Sequence, residues 1–221
     1  MWNGHRVKGN GHVVTENKPV GDFTSVELHG GFDVYLTEGS PASIKIEAEE
    51  NIIPHIELLV MNGVLSIETE DNIWLKERKP VKIFITSPTY NNIEVTSSGT
   101  VIGQTKITND TKLGLSVSGS GELKLDVDAP EIAADVSGSG EMSLSGETKK
   151  ISGDVTGSGD IKAMNLKSEE AYLQVSGSGN IDVYASVKLD ANVSGSGDIR
   201  YKGDAQVTRN TSGSGEVKKV N

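Results

Sequence analysis

One heptapeptide recurs through the second half of the chain. Val117-Ser118-Gly119-Ser120-Gly121-Glu122-Leu123 returns as Val136 to Met142, Val155 to Ile161, Val175 to Ile181, Val193 to Ile199 and Thr211 to Val217. Its first glycine stands at Gly119, Gly138, Gly157, Gly177, Gly195 and Gly213, so the steps are 19, 19, 20, 18 and 18 residues. Its second glycine stands at Gly121, Gly140, Gly159, Gly179, Gly197 and Gly215. A period this short and this regular leaves few folds. Each repeat is too small to bury its own apolar face, so it must stack on its neighbours as a solenoid.

The residues around each glycine pair decide which solenoid. Leu113, Leu115 and Val117 alternate with polar residues before the first pair, and Leu123 and Leu125 alternate with them after it. The same phase holds in every copy, as in Ile151, Gly153 and Val155 before Gly157. Period two is a strand pattern, and no stretch of the array carries the 3.6 period of a helix. Each coil therefore reads as two short strands meeting at a Ser-Gly-Ser-Gly corner. Glycine suits that corner because it accepts positive φ and lets another backbone approach closely. The corner serines have backbone groups, and one another, within reach. About 19 residues fit one turn of a parallel β-helix with like positions stacked at ~4.8 Å. The stack would enclose a narrow core of small branched side chains, in keeping with an aromatic content of only 5%.

The charged residues keep the same register. After the second glycine stand Glu122, Glu141, Asp160, Asn180, Asp198 and Glu216; two positions on stand Lys124, Ser143, Lys162, Asp182, Arg200 and Lys218. The acids of the first column (Glu122, Glu141, Asp160, Asp198 and Glu216) are weak candidates for a metal ladder. The simpler reading, a solvated face in which the basic column offsets the acidic one, outweighs it. In the calcium-binding β-roll a residue separates glycine from aspartate; here the acid follows directly.

Looser copies extend the pattern upstream. Val7-Lys8-Gly9-Asn10-Gly11-His12-Val13, Leu28-His29-Gly30-Gly31-Phe32-Asp33-Val34 and Val95-Thr96-Ser97-Ser98-Gly99-Thr100-Val101 all resemble the corner. The helix is thus expected to begin near the N-terminus. Residues 1–221 read as a single elongated domain: irregular longer coils over 1–112, the regular array over 113–217, and a tail over 218–221. Within 37–92, strands are expected at Ser43–Ala48, Val64–Thr69 and Val81–Thr86, with a hairpin at Asn62-Gly63, a helical turn limited by Pro54, and a charged loop from Asp71 to Lys79 carrying Trp74. At the far end Arg209 and Thr211 replace apolar core residues, which reads as a cap on an open sheet edge.

These motifs resemble a known family. The Val-Ser-Gly-Ser-Gly-acid-Ile corners, the lead-in Phe23-Thr24-Ser25-Val26-Glu27-Leu28, the stretch Gly31-Phe32-Asp33-Val34-Tyr35-Leu36 and the segment Ile44 to Glu68 are similar to the putative auto-transporter adhesin "head GIN" domain family. The resemblance covers roughly residues 20 to 217. It implies a right-handed parallel β-helix exported to the bacterial cell envelope, often as a lipoprotein, and it brings no catalytic residues. The chain has no cysteine, so the lipoprotein expectation places the signal segment and anchoring cysteine ahead of Met1.

Composition narrows the partners. A net charge of −10 argues against nucleic acid and anionic membrane surfaces. No apolar run approaches the ~20 residues of a membrane-spanning helix. Without cysteine there is no disulfide or thiolate chemistry. The histidines His5, His12, His29 and His55 all precede the array; His12 and His29 fall on outward positions of the first two corners, where plain surface residues outweigh a metal pair. No nucleophile elbow, phosphate loop or zinc-protease motif is present. No catalytic residue and no cofactor is expected. The leading expectation is a non-enzymatic adhesin or surface scaffold that binds a surface glycan or an envelope protein. The alternatives are a polysaccharide lyase or hydrolase using Asp135, Asp154, Glu141 and Asp160, and a signalling scaffold attached to a membrane segment. The sequence leaves the oligomeric state open.

Overall fold

The computed structural model describes residues 5–221 and contains almost nothing but strands. Residues 1–4, with which the expected domain opens, lie outside the described residues. In chain order the first strands are β1 (His5–Lys8), β2 (Val13–Lys18), β3 (Ser25–His29), β4 (Asp33–Glu38) and β5 (Ser43–Glu49). One 3-10 turn (Ile53–His55) follows, then β6 (Ile56–Met61), β7 (Val64–Thr69), β8 (Ile73–Lys76) and β9 (Lys82–Ser87). The chain continues through β10 (Asn92–Val95), β11 (Thr100–Gly103), β12 (Ile107–Thr108) and β13 (Lys112–Gly119) into the array. The array comprises β14 (Glu122–Gly138), β15 (Glu141–Gly157), β16 (Asp160–Gly177), β17 (Asn180–Gly195), β18 (Ile199–Lys202), β19 (Gln206–Gly213) and β20 (Val217–Lys219).

The chain winds as a parallel β-solenoid of about seven turns, of which the array is the regular part. Parallel registers place Gly119 beside Gly138, Gly138 beside Gly157, Gly157 beside Gly177, Gly177 beside Gly195 and Gly195 beside Gly213. The corners are stacked, as the spacing predicts. The first glycine of each pair has positive φ, from +104° at Gly138 to +128° at Gly195. The second is needed for contact: a Cβ on Gly159 would stand 2.5 Å from both the Gly140 carbonyl oxygen and Val136 Cγ1. Backbone bonds continue across the corner, with Ser139 N–H donating to Gly119 O at 2.8 Å and Ser158 N–H to Gly138 O at 2.7 Å. Backbone amides make these bonds; among the described residues no corner serine hydroxyl bonds another, contrary to expectation.

Each regular coil is one bent strand of 16 to 18 residues rather than two short strands. The second bend is a change of phase. In β14, Leu123, Leu125, Val127 and Ala129 point inward; Pro130 and Glu131 both face out, and inward positions resume at Ile132. Lys149-Lys150 and Glu169-Glu170 make the same step one and two coils on. Because neighbouring coils turn together, the ladder survives the bend.

Upstream, stacking order departs from chain order. The β3–β4 coil lies between β10–β11 on one side and β7 and β9 on the other, all parallel. Gly30-Gly31 and Ser98-Gly99 are true corners of this stack: a Cβ on Gly99 would lie 2.9 Å from Phe32 O. The expected antiparallel excursion is present. β6 pairs with β7 through Asn62 and Gly63, both at positive φ (+52° and +78°), while β5 runs antiparallel to β9 and β2 to β5. The helical turn at Pro54 is also there.

Two expectations fail in this region. Gly9–Gly11 is not a solenoid corner, so the helix does not begin there. β1 pairs with β8 in a separate two-stranded sheet, and the turn after β1 wraps the Glu49 side chain, whose carboxylate accepts Gly11 N–H at 2.5 Å and Arg78 N–H at 2.7 Å. Gly9 clears room for the carboxylate, which a Cβ there would strike, and Gly11 takes a φ of +84°. The Asp71–Lys79 segment is likewise not all loop, since Ile73–Lys76 is β8, with Trp74 in register with Arg6. The apolar core runs unbroken from Phe23 to Val217.

Candidate functional site

The acidic column is the first place to look. Its registers are those expected: Glu122 beside Glu141, Glu141 beside Asp160, Asp160 beside Asn180. Its chemistry is structural. Asp160 Oδ1 accepts the backbone N–H of Asn180 at 2.9 Å and its side-chain amide at 2.8 Å. Asn180 Oδ1 accepts Asp198 N–H at 3.1 Å, and Asp198 Oδ1 accepts Glu216 N–H at 2.9 Å. Each side chain thus ties its coil to the next. The second column pairs in three ways: Lys162 reaches diagonally to Glu141 at 2.5 Å, Arg200 holds both oxygens of its register neighbour Asp182 at 2.7 Å, and Lys218 meets Glu216 of its own coil at 3.5 Å. The hydrogen bonds they donate to Glu141 and Asp182 raise the pKa of Lys162 and Arg200 above the ordinary values. The sequence reading found the columns but missed the side-chain-to-backbone links. Short Asp and Asn side chains directly after the glycine were their signal.

The four acids of the hydrolase alternative do not converge. Asp135 and Asp154 are register neighbours before the corner, whereas Glu141 and Asp160 stand in a different column beyond it and already have partners. Burial, then the charge of Asp154, raises the pKa of Asp135. The histidines are dispersed as well. His12 meets Glu50 at 3.3 Å, His29 lies between Thr96 (2.8 Å) and Glu27 (3.4 Å), and His55 meets Glu70 at 2.7 Å. His12 lies on the Glu49 turn and not in a corner column.

A concavity of about 560 Å³ lies at the second bend. Outward residues of successive coils line it, among them Asp128, Glu147, Lys149, Lys167, Tyr184 and Ser186. Asp128 stands beside Glu147, Glu147 beside Lys167, and Lys167 beside Tyr184, with its ammonium 4.1 Å from the ring centre. The floor is polar and satisfied: Thr148 donates to Pro130 O or Lys150 O (3.3 and 3.1 Å), and Ser168 donates to Tyr184 O.

The register between β16 and β17 is irregular beside this groove. Between Ala163 and Lys167, β16 carries three residues with no counterpart in β17, and between Ala185 and Lys188 β17 carries one extra of its own. The net two residues account for the change of step from 20 to 18. A second groove of about 450 Å³ runs past Ile102, Lys124, Asp126, Ser145 and Asn165, nearer the glycine corner.

Taken together, these features define a class: a parallel β-solenoid built on stacked glycine corners, with polar grooves along its outer surface. The family model for "Putative auto-transporter adhesin, head GIN domain" matches residues 22–205. The chain belongs to that family, and membership of an adhesin family implies an exported surface protein. A crystal structure of a putative adhesin from Bacteroides fragilis NCTC 9343 is similar over 97% of this chain and 100% of that one, with 24% identity and a TM-score of 0.90. A putative lipid binding protein from Parabacteroides distasonis ATCC 8503 matches 98% of this chain and 100% of that one, at 26% identity and a TM-score of 0.80. A putative adhesin from the same organism matches to the same extent, at 25% identity and a TM-score of 0.81. No curated protein matches the chain.

Proposed function

We propose that the protein is a non-catalytic adhesin or scaffold of the bacterial cell envelope, carried as an exported lipoprotein, and that it holds a hydroxyl-rich glycan in the groove at the second bend. The groove itself carries the reading: it is open and extended, crosses several coils, and sets carboxylates, ammonium groups and a hydroxyl side by side at strand spacing, ~4.8 Å. Carboxylates accept and ammonium groups donate, so the pair can address both sides of a sugar hydroxyl. Tyr184 adds apolar surface, although Lys167 covers one face of its ring. Asp160 and Asp198 on the array support the same reading, being engaged in holding coils together.

A glycan array read at low and at high salt tests this. Retention of a neutral oligosaccharide at both salt levels is expected, with loss of most of the signal in Lys167→Ala and Tyr184→Ala. Binding unchanged by both substitutions contradicts the groove. Because one relative is named for lipid binding, lipid vesicles form a separate arm. Turnover of a polysaccharide, lost in Asp154→Asn or Asp160→Asn, overturns the non-catalytic assignment.

A further inference from the structure

The two ends of the solenoid differ in how they treat their open sheet edges. At the C-terminal end β19 and β20 carry Arg209, Asn210, Lys218 and Lys219. Arg209 takes the inward position beside Ala191, and its Nη1 donates to Val217 O at 3.1 Å. An inward charge and edge lysines are the usual protection against strand addition. At the other end β6, Ile56-Glu57-Leu58-Leu59-Val60-Met61, pairs only with β7. Its one charge is Glu57, and Leu59 and Met61 are 45% and 70% exposed. Val13 on β2, the other antiparallel edge of this end, is a further exposed apolar residue.

We infer that β6 pairs with β6 of a second copy of the chain, joining two solenoids through their N-terminal ends. The register follows from the hairpin. A two-residue turn closes on a pair that exchanges both backbone bonds, so Met61, Leu59 and Glu57 direct their N–H and C=O groups to β7. Leu58 and Val60 therefore present theirs to the free edge. Ile56 cannot contribute fully, because its N–H is already bonded to Ile53 O.

Antiparallel pairing about a two-fold axis at Leu59 sets Leu58 against the partner's Val60 and uses all four free groups on each chain. It also sets Leu59 against the partner's Leu59 and Glu57 against the partner's Met61, so no like charges stand opposite. The arrangement is self-complementary and closes at two copies. Both outer ends of the pair are then the protected C-terminal edges, which excludes growth into a fibre.

The chain's lack of cysteine makes the test clean. Sedimentation equilibrium from micromolar to several hundred micromolar is expected to show a monomer–dimer equilibrium. Leu59→Lys, which places two ammonium groups opposite each other, weakens it at least tenfold without changing the circular dichroism. On oxidation Leu59→Cys gives a covalent dimer, because a non-bonded antiparallel pair has its Cα atoms ~4.5 Å apart, within disulfide range. Thr208→Cys, on the opposite end, does not. A protein monomeric throughout the range overturns the inference. So does association that survives Leu59→Lys, or a Leu59→Cys protein that cross-links no faster than Thr208→Cys.

Discussion

Alanine at the corner glycines separates the two reasons for glycine there. Gly157 has φ +110°, and an added Cβ would stand 2.7 Å from Gly138 O and 3.3 Å from Gly138 N. Gly159 has no positive φ, but its Cβ would stand 2.5 Å from Gly140 O and from Val136 Cγ1. Gly63 has φ +78° with nothing within 4 Å, and Gly21 has neither constraint. Left-handed backbone costs an L-residue about 1–2 kcal/mol, and overpacking a tight site costs about 1–3 kcal/mol. Gly63→Ala should therefore lose ~1–2 kcal/mol from backbone strain alone. Gly159→Ala should lose ~1–3 kcal/mol from contact alone, because backbone of the next coil cannot move without breaking its own ladder. Gly157→Ala carries both and should lose ~2–5 kcal/mol. Gly21→Ala should be neutral, or stabilise by up to ~1 kcal/mol through the unfolded chain. Urea unfolding followed by far-ultraviolet circular dichroism measures all four. Placing the changes in a central coil matters, since a repeat array can fray from its ends. A Gly157→Ala protein within ~1 kcal/mol of Gly21→Ala, or less damaged than Gly63→Ala, refutes the argument that close stacking selects glycine.

Other consequences follow from single side chains. Burial acts to raise the pKa of Glu49, but the backbone N–H groups of Arg78, Gly11 and Lys79 outweigh it, and the net shift is below the ordinary 4.5. A depressed folded pKa means the contribution is complete above pH 4.5 and is lost as pH falls through the folded value. Glu49→Gln should cost about 1–3 kcal/mol at pH 7 and flatten the loss of stability as pH falls below 4.5, as read by denaturation at each pH. Asp135 has the opposite sign: its raised pKa opposes folding once it ionises, so Asp135→Asn should stabilise the protein at pH 7 and lose that advantage as pH falls through the raised folded value, with none left below 3.8, the ordinary aspartate value. Tyr90 is fully buried, with its hydroxyl bonded to Thr37 O (3.0 Å) or Ile85 O (3.2 Å). Tyr90→Phe leaves those carbonyls without that donor and should cost about 1–3 kcal/mol in a urea titration.

The array was legible because two periods coincide in it, one of two residues along the strand and one of about 19 between glycines. Register is fixed wherever a side chain must face inward, so the columns of Glu122 and Lys124 could be placed before any coordinates. The second bend was less legible. It is made by two successive outward residues such as Pro130-Glu131, a signal far weaker than a glycine pair. At Gly9–Gly11 local spacing imitated a corner, but a buried carboxylate 38 residues away from Gly11 decided the geometry. The insertion of the β3–β4 coil inside β7 and β9 is set by long-range packing, which one-dimensional alternation does not encode. The candidate groove was not legible: the near-constant spacing reads as a uniform array, and the lining depends on which outward residues successive coils bring side by side.

The stack itself can be measured by cross-linking in the cysteine-free chain. Ser118 and Ser137 are register neighbours, as are Ser137 and Thr156, and all three lie on the outer surface. Neighbouring coils hold such Cα atoms ~4.8 Å apart, and alternate coils about twice that, beyond the ~7 Å reach of a disulfide. The Ser118→Cys/Ser137→Cys protein should therefore oxidise rapidly to an intramolecular disulfide, and Ser118→Cys/Thr156→Cys should not. Equal rates for the two pairs, or a faster reaction in the second, would contradict a chain wound with its corners one above another.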